Sequence, residues 1–82
     1  GARLDYRFDW TDRMAPGAAL VASSWTASPE GLQLTDMSFE GPVALVWAAG
    51  GTAGHRYRLT NRVHFSDGSI DERSMLLRVE ER

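Results

Sequence analysis

Two long segments near the end of the chain are predicted to be strands, and apolar and polar side chains alternate along the first of them. The first runs from Tyr57 to Phe65 and the second from Asp71 to Val79, with the turn sequence Ser66-Asp67-Gly68 between them. Alternation with a period of two is typical of a half-buried β-strand, and glycine after aspartate suits a tight reversal. The pattern therefore predicts an antiparallel hairpin with one apolar and one polar face.

The opening of the chain shows the same alternation. Large apolar side chains occupy every second position between charged residues: Leu4, Tyr6, Phe8 and Trp10. This spacing predicts a first strand that is buried on one face. Asp12 follows it, ahead of a Pro-Gly turn, and we expect its side chain to cap a short helical turn.

Three further strands are predicted before the terminal hairpin. They cover residues 19–27, 32–39 and 43–47, and we expect an interruption at Asp36. Turn sequences separate them and no long segment has helical periodicity, which favours an all-β fold. We predict a single domain over residues 1–82. Its expected fold is an immunoglobulin-like or fibronectin-III-like antiparallel sandwich of about seven strands.

A glycine-rich segment, residues 48–54, precedes the hairpin. It lacks the Lys and Ser/Thr of a phosphate-binding loop, and a strand rather than a helix follows it. We interpret it as a tight turn in which Gly54 allows the chain to reverse, so that Tyr57 lies at a corner of the sandwich. In such domains a corner tyrosine donates or accepts a hydrogen bond with upstream backbone. Gly54 and Tyr57 are therefore predicted to be structural residues.

Three tryptophans are the most prominent aromatic side chains: Trp10, Trp25 and Trp47. Aromatic faces can stack on sugar rings, so an exposed set would suit a carbohydrate-binding platform. The strand parities instead favour the core, with Trp25 and Trp47 as the clearest core candidates.

Composition excludes several classes of function. The chain has no cysteine, and hence neither a disulfide nor a thiolate metal site. Its net charge of −2 gives no electrostatic basis for binding nucleic acid or an anionic membrane. His55 and His64 have no partner at metal-ligand spacing, and Asp5, Asp9 and Asp12 lack a calcium-binding glycine loop. We therefore predict no metal and no cofactor.

No catalytic arrangement is evident either. No serine lies in a strained strand-to-helix turn, and no carboxylate pair is flanked by a pocket-forming apolar pattern. A small hydrolase is the weakest of the functions considered, and we predict that the chain is not an enzyme. The longest apolar run, residues 43–49, is too short to span a bilayer. Because the chain begins with Gly rather than Met, we expect an N-terminal segment to be missing.

A set of short sequence words, spread in order over nearly the whole chain, resembles the phage fibre-tail adaptor protein family. The words are Leu4-Asp5-Tyr6, Asp9-Trp10, Ala22-Ser23-Ser24-Trp25-Thr26, Gly31-Leu32, Val46-Trp47, Gly50-Gly51-Thr52-Ala53-Gly54, Tyr57-Arg58-Leu59-Thr60-Asn61-Arg62 and Asp71-Glu72-Arg73-Ser74. Family members usually carry a short lead with proline and aspartate before the first word, and this chain lacks it.

The resemblance implies a structural protein of a tailed phage or prophage virion, assembled in the cytoplasm of the bacterial host. It implies an adaptor that joins tail or neck to fibres through contacts with other virion proteins, in many copies within a symmetric assembly. It implies no catalytic residue and no cofactor. The alternative function is a carbohydrate-binding immunoglobulin-like module that attaches particles to host-surface glycan.

The polar face of the first hairpin strand is the candidate interaction face. It carries Arg56, Arg58, Arg62 and His64. Arginines on a flat strand face can bind carboxylates of a neighbouring subunit with two parallel hydrogen bonds. Alternatively, they form cross-strand pairs with Asp71 and Glu72 inside the domain.

Overall fold

The computed structural model describes residues 3–80, which form six β-strands and one short 3-10 helix. The strands are β1 (Leu4–Asp9), β2 (Leu20–Ser28), β3 (Leu32–Glu40), β4 (Val43–Gly50), β5 (Arg56–Phe65) and β6 (Ile70–Arg78). The 3-10 helix spans Thr11–Arg13, between β1 and β2. Strand positions agree closely with the alternation in the sequence.

The strands form two antiparallel sheets of three strands each. The first sheet has the order β1-β4-β3 and the second sheet the order β2-β5-β6. The prediction of an all-β antiparallel sandwich is confirmed. The strand order matches B-E-D and C-F-G of an immunoglobulin domain, whose sheets are A-B-E-D and C-F-G. Among residues 3–80 nothing corresponds to strand A, so six strands are present where about seven were expected.

Aromatic side chains fill the space between the sheets. Trp10 and Trp25 are buried, and Phe8 stacks on Trp25 with ring centroids 5.5 Å apart. Trp10 meets the rings of Phe8 and Phe65 edge to face. Such pairs add to the stabilisation from apolar burial. The inward positions of β5 are all buried, as the alternation predicted: Tyr57, Leu59, Asn61, Val63 and Phe65.

Asn61 is the buried polar residue of this core, and its amide is fully engaged. Trp10 Nε1 donates to Asn61 Oδ1 at 2.8 Å. Asn61 Nδ2 donates to Ser23 Oγ at 2.9 Å and to the Ser24 carbonyl at 3.0 Å. A buried amide is tolerated when its donors and acceptor have partners. Asn61 therefore connects β5 to β2 and to the end of β1.

Trp47 is not in the core, so this prediction is wrong. Strand β4 is apolar on both parities, and its small residues Ala44, Val46 and Ala48 are the buried ones. Trp47 lies on the outer face of the first sheet, partly exposed. Because Ala44 and Ala48 leave space, the large rings of Trp10 and Trp25 fit between the sheets.

Asp12 is also not the cap that was predicted. The helical turn exists, but its N-cap position is Trp10, which makes no side-chain capping bond. Asp9 serves the turn instead, because its carboxylate accepts from the Thr11 N–H at 2.9 Å and the Thr11 hydroxyl at 2.6 Å. These hydrogen bonds, that of the Thr11 side chain first, lower the pKa of Asp9.

The expected interruption at Asp36 takes the form of a bulge inside a continuous strand. Asp36 has φ of 53°, and the β3–β4 register shifts between Thr35 and Ser38. Aspartate tolerates this left-handed conformation better than most residues. The bulge breaks the regularity of β3, which is an edge strand of the first sheet.

Tyr57 occupies the corner where the chain enters β5. Its side chain is 2% exposed, and its hydroxyl accepts a hydrogen bond from the Thr52 N–H at 2.9 Å. Gly54 lies between the two with φ of 83°, a conformation that favours glycine. The glycine-rich segment is thus held to β5 through the tyrosine hydroxyl.

Tyr57→Phe should lower the free energy of unfolding by about 1 kcal/mol, because the Thr52 N–H loses its acceptor while the ring packing is kept. Urea denaturation followed by tryptophan fluorescence measures the change. Tyr6→Phe is the matched control, since Tyr6 packs against the core but has no side-chain hydrogen bond among the described residues. Equal stability of wild type and Tyr57→Phe would contradict a role for the hydroxyl at the corner.

Candidate interaction surface

The outer face of the second sheet brings the predicted interaction residues together. Arg56, Arg58, Arg62 and His64 all lie exposed on the central strand β5. On one side, β2 presents the small residues Ala22, Ser24, Thr26 and Ser28, which pair with β5. On the other side, β6 presents Ile70, Glu72, Ser74, Leu76 and Arg78. We call this surface the basic face.

The charge of the basic face opposes that of the whole chain. Arg56, Arg58, Arg62 and Arg78 with the single acid Glu72 give it a formal charge of +3, whereas the chain carries −2. The remaining surface is correspondingly acidic. Such a separation of charge orients a protein relative to a charged partner.

Ion pairs within the domain neutralise little of this charge. Arg62 lies 3.5 Å from Glu72, and both side chains are about half exposed. In the described part of the chain, no ion pair involves Arg56 or Arg58. An exposed pair such as Arg62–Glu72 contributes at most about 1 kcal/mol. Arg56 and Arg58 are thus available to a carboxylate from outside the domain.

The alternative, cross-strand pairing of these arginines with Asp71, does not occur, because Asp71 lies on the opposite face of β6. Its carboxylate instead accepts a hydrogen bond from Arg13 Nη1 at 2.8 Å. Burial raises the pKa of Asp71, but the bonds from Arg13 and the Glu72 N–H outweigh it and lower the pKa overall. Arg13–Asp71 joins the 3-10 helix to β6 and has a structural role.

Arg73 makes a second link between the sheets on the same side. Its guanidinium lies 4.8 Å from the ring centroid of Phe8 and 5.4 Å from that of Trp10. It also donates to the Asp9 carbonyl at 2.9 Å. The cation is thus engaged by two rings and a backbone oxygen, which distinguishes Arg73 from the exposed arginines of the basic face.

The outer face of the first sheet offers an apolar row that is partly covered. Val43, Leu45 and Trp47 on β4 form its centre and are half-buried. The Arg3 guanidinium lies 4.8 Å from the Trp47 ring centroid and forms an ion pair with Asp36. With the other two tryptophans buried, the structure does not bring the three together as a sugar-binding platform.

An apolar groove lies at one end of the sandwich, beside the 3-10 helix. Residues from two parts of the chain, 11–20 and 39–42, line it, including Met14, Leu20, Phe39 and Pro42. Phe39 is 40% exposed. This groove could not be predicted from the residue pattern, because its walls come together through the packing of the 3-10 helix and the β3–β4 turn.

Two classes of site have no counterpart in the described residues. Within residues 3–80, no three His, Cys, Asp or Glu side chains are grouped so that they could hold a metal ion. Over the same residues, no helix has the length and apolar character needed to cross a membrane.

The match with known families agrees with the resemblance noted in the sequence. No curated protein matches the chain significantly. A family model described as podophage GP4 fiber-tail adaptor protein gp77 matches residues 1–78, which is nearly the whole chain. The family name describes a structural protein of the phage virion that connects fibre and tail. The chain therefore belongs to the podophage GP4 fiber-tail adaptor protein gp77 family.

Proposed function

We propose that this chain is a non-enzymatic virion protein that joins a fibre to the tail or neck through direct protein–protein contacts. It acts in many copies within a symmetric assembly, which forms in the cytoplasm of the host. Other virion structural proteins are its partners, and neither nucleic acid nor a membrane is involved. Membership of the adaptor family supports this proposal.

The basic face is the surface that best suits such a contact. Its arginines project from the central strand of the second sheet, and the flanking strand β2 carries small side chains that do not obstruct an approaching surface. A planar guanidinium can bind a carboxylate with two parallel hydrogen bonds, which fixes orientation as well as adding affinity. We therefore assign to the partner a surface with exposed Asp or Glu side chains.

The single observation that carries this assignment is that Arg56, Arg58 and Arg78, all on the basic face, form no ion pair within residues 3–80. Arg3, Arg7, Arg13 and Arg62 each have a carboxylate partner, and Arg73 is engaged by Phe8, Trp10 and the Asp9 carbonyl. Arg58 lies on the central strand and is flanked on both sides, by Ser28 at the end of β2 and by Leu76 on β6, whereas no β2 residue pairs with Arg56. A central residue of an interface contributes more to affinity than one at the rim.

Arg58→Glu should reduce incorporation of the protein into phage particles by about tenfold or more, since like charges placed opposite each other in an interface cost several kcal/mol. The measurement is complementation of a phage that lacks the gene, followed by immunoblotting of purified particles. Arg7→Glu is the matched control, because it makes the same charge change on the outer face of the first sheet.

Folding of each variant is checked by its thermal unfolding midpoint. Normal incorporation of a folded Arg58→Glu variant would remove the basic face as the docking surface. Immunogold electron microscopy of wild-type particles tests the broader role, since particles without label would contradict a virion component altogether.

A further inference from the structure

Strand β6 is a long, regular and unprotected sheet edge. It has nine residues without proline or glycine, and its pairing with β5 runs without a register shift from Ile70 to Arg78. Its outward side chains include two exposed apolar residues, Ile70 at 49% and Leu76 at 65%. An edge of this kind presents free backbone groups to another strand.

The directions of those groups follow from two hydrogen bonds at the ends of the hairpin. Phe65 N–H donates to the Ser69 carbonyl at 2.9 Å, and Val79 N–H donates to the His55 carbonyl at 3.1 Å. Odd-numbered residues of β6 therefore form the hydrogen-bonded pairs with β5, since such pairs alternate along an antiparallel ladder. The N–H and C=O groups of the even-numbered residues from Ile70 to Arg78 point away from the sheet.

The other edges of the sandwich are less suited to accept a strand. Strand β3 carries the bulge at Asp36, and β2 has a register irregularity at its start and lies against β3. Strand β1 is shorter, and Arg73 occupies its Asp9 carbonyl. Bulges, short length and charged side chains are the features by which proteins block unwanted strand pairing. On β6 no bulge is present.

The charges on β6 are complementary to those of a second copy. Within the domain, Arg78 lies directly opposite Arg56, a like-charge pair, and no ion pair involves Arg78 within the described residues. In a twofold antiparallel pairing centred on Met75, Arg78 lies opposite Glu72 of the second copy, and Glu72 lies opposite its Arg78. Opposite charges at directly facing positions stabilise a strand pair.

The same register also satisfies the backbone and the apolar side chains. It places even-numbered residues opposite even-numbered residues, so that their outward N–H and C=O groups face each other. Leu76 then lies opposite Ser74 of the second copy and diagonal to its Leu76, which covers the most exposed large apolar side chain of the described chain. The ion pairs, the backbone hydrogen bonds and the apolar contact of Leu76 are thus all formed in this one register.

We propose that two copies of this chain associate through β6, in an antiparallel pairing with its twofold axis at Met75, to form a continuous six-stranded sheet. The interface is isologous, since the same strand contributes both sides. The paired residues lie at the β6 margin of the basic face, but this inference does not depend on the proposed function, because it rests on the backbone groups and charges of β6 alone.

Sedimentation equilibrium of the purified protein, from about 1 μM to 1 mM, tests the proposal. We expect a monomer–dimer equilibrium for the wild type. Arg78→Glu should raise the dissociation constant by about tenfold or more, while relieving the repulsion from Arg56 so that the thermal midpoint does not fall. The double variant Glu72→Arg/Arg78→Glu should restore dimerisation, because the two charges are exchanged between the copies.

Two further variants separate this interface from others. Ser74→Pro removes an outward N–H that is not needed within the domain, so it should abolish the dimer while the fold persists. Arg58→Glu makes the same charge change as Arg78→Glu on the same sheet but away from the edge, and it should dimerise like the wild type. A wild type that is monomeric throughout the range, or a dimer indifferent to Arg78→Glu and Ser74→Pro, would overturn the proposal.

Discussion

Asn61→Ala should lower the free energy of unfolding by about 2–4 kcal/mol, a large part of the stability of a small domain. The substitution leaves the buried Trp10 Nε1–H without its acceptor. It also removes the donor to Ser23 Oγ and the Ser24 carbonyl. An unsatisfied buried donor retains its full desolvation penalty, so the effect exceeds that of losing one exposed hydrogen bond. Urea denaturation measures the change.

Thr60→Ala is the matched control for this result. Thr60 is the neighbouring residue on β5, faces the opposite way, and shares a hydroxyl hydrogen bond of 2.8 Å with Ser74. Its substitution should cost no more than about 1 kcal/mol, because that bond is exposed to water. A double-mutant cycle with Trp10→Phe should show coupling to Asn61→Ala of about 1 kcal/mol or more. Additive effects would contradict a direct Trp10–Asn61 interaction.

Gly51→Ala should lower the free energy of unfolding by about 3 kcal/mol. Gly51 has φ of 85°, where a side chain is strained by about 1–2 kcal/mol. A Cβ at this position would also lie 2.7 Å from Val79 Cγ2 and 3.0 Å from Leu32 Cδ2. These contacts are too short for carbon atoms, and relieving them displaces packed side chains at a cost of about 1–3 kcal/mol.

Gly54→Ala separates the cost of backbone strain from the cost of the short Cβ contacts. Gly54 has nearly the same φ, 83°, but a Cβ there would meet no atom within 4 Å. This variant should therefore show the backbone strain alone, about 1–2 kcal/mol. The difference between the two variants in urea denaturation reports the steric term. Equal losses would mean that the segment around Gly51 shifts to accommodate the methyl group.

The alternation of residue types was sufficient to predict β5, and the turn sequence after it predicted the return strand β6. On β5 four of the five inward residues are apolar and every outward residue is polar, so one parity alone can face the core. The interaction residues Arg56, Arg58, Arg62 and His64 could be placed on one face for the same reason. The fold class followed because each strand ended at a recognisable turn.

The orientation of β4 could not be predicted in this way. Residues 43–49 are apolar at every position, so the pattern did not indicate which parity faces inward. The core selects Ala44, Val46 and Ala48 because Trp10 and Trp25 already fill the space between the sheets. No space remains for Trp47 between the sheets, and this lack of space depends on Trp10 and Trp25, which are distant in sequence.

The role of Asn61 and the identity of the edge strands could not be predicted from the sequence for a related reason. An amide on an apolar face is explained by its partner Trp10, which lies 51 residues away. Alternation likewise does not distinguish a central strand from an edge strand, because both have one buried face. The candidate dimer interface on β6 became visible through the strand order and the directions of its backbone groups.

The long sequence separations of the main contacts also determine how this domain folds. Trp10 and Asn61 are separated by 51 residues, and Arg13 and Asp71 by 58. Strand β1 pairs with β4, and the paired residues are 34 (Asp9 and Val43) to 44 (Leu4 and Ala48) positions apart, so the place of β1 in the sheet is fixed only once β4 has been synthesised. Closing such large loops costs chain entropy before any native contact offsets it. β-Sandwiches therefore fold slowly, in about milliseconds to seconds. During synthesis on the ribosome, Trp10 therefore remains in an unfolded segment until β5, which carries its partner Asn61, has emerged.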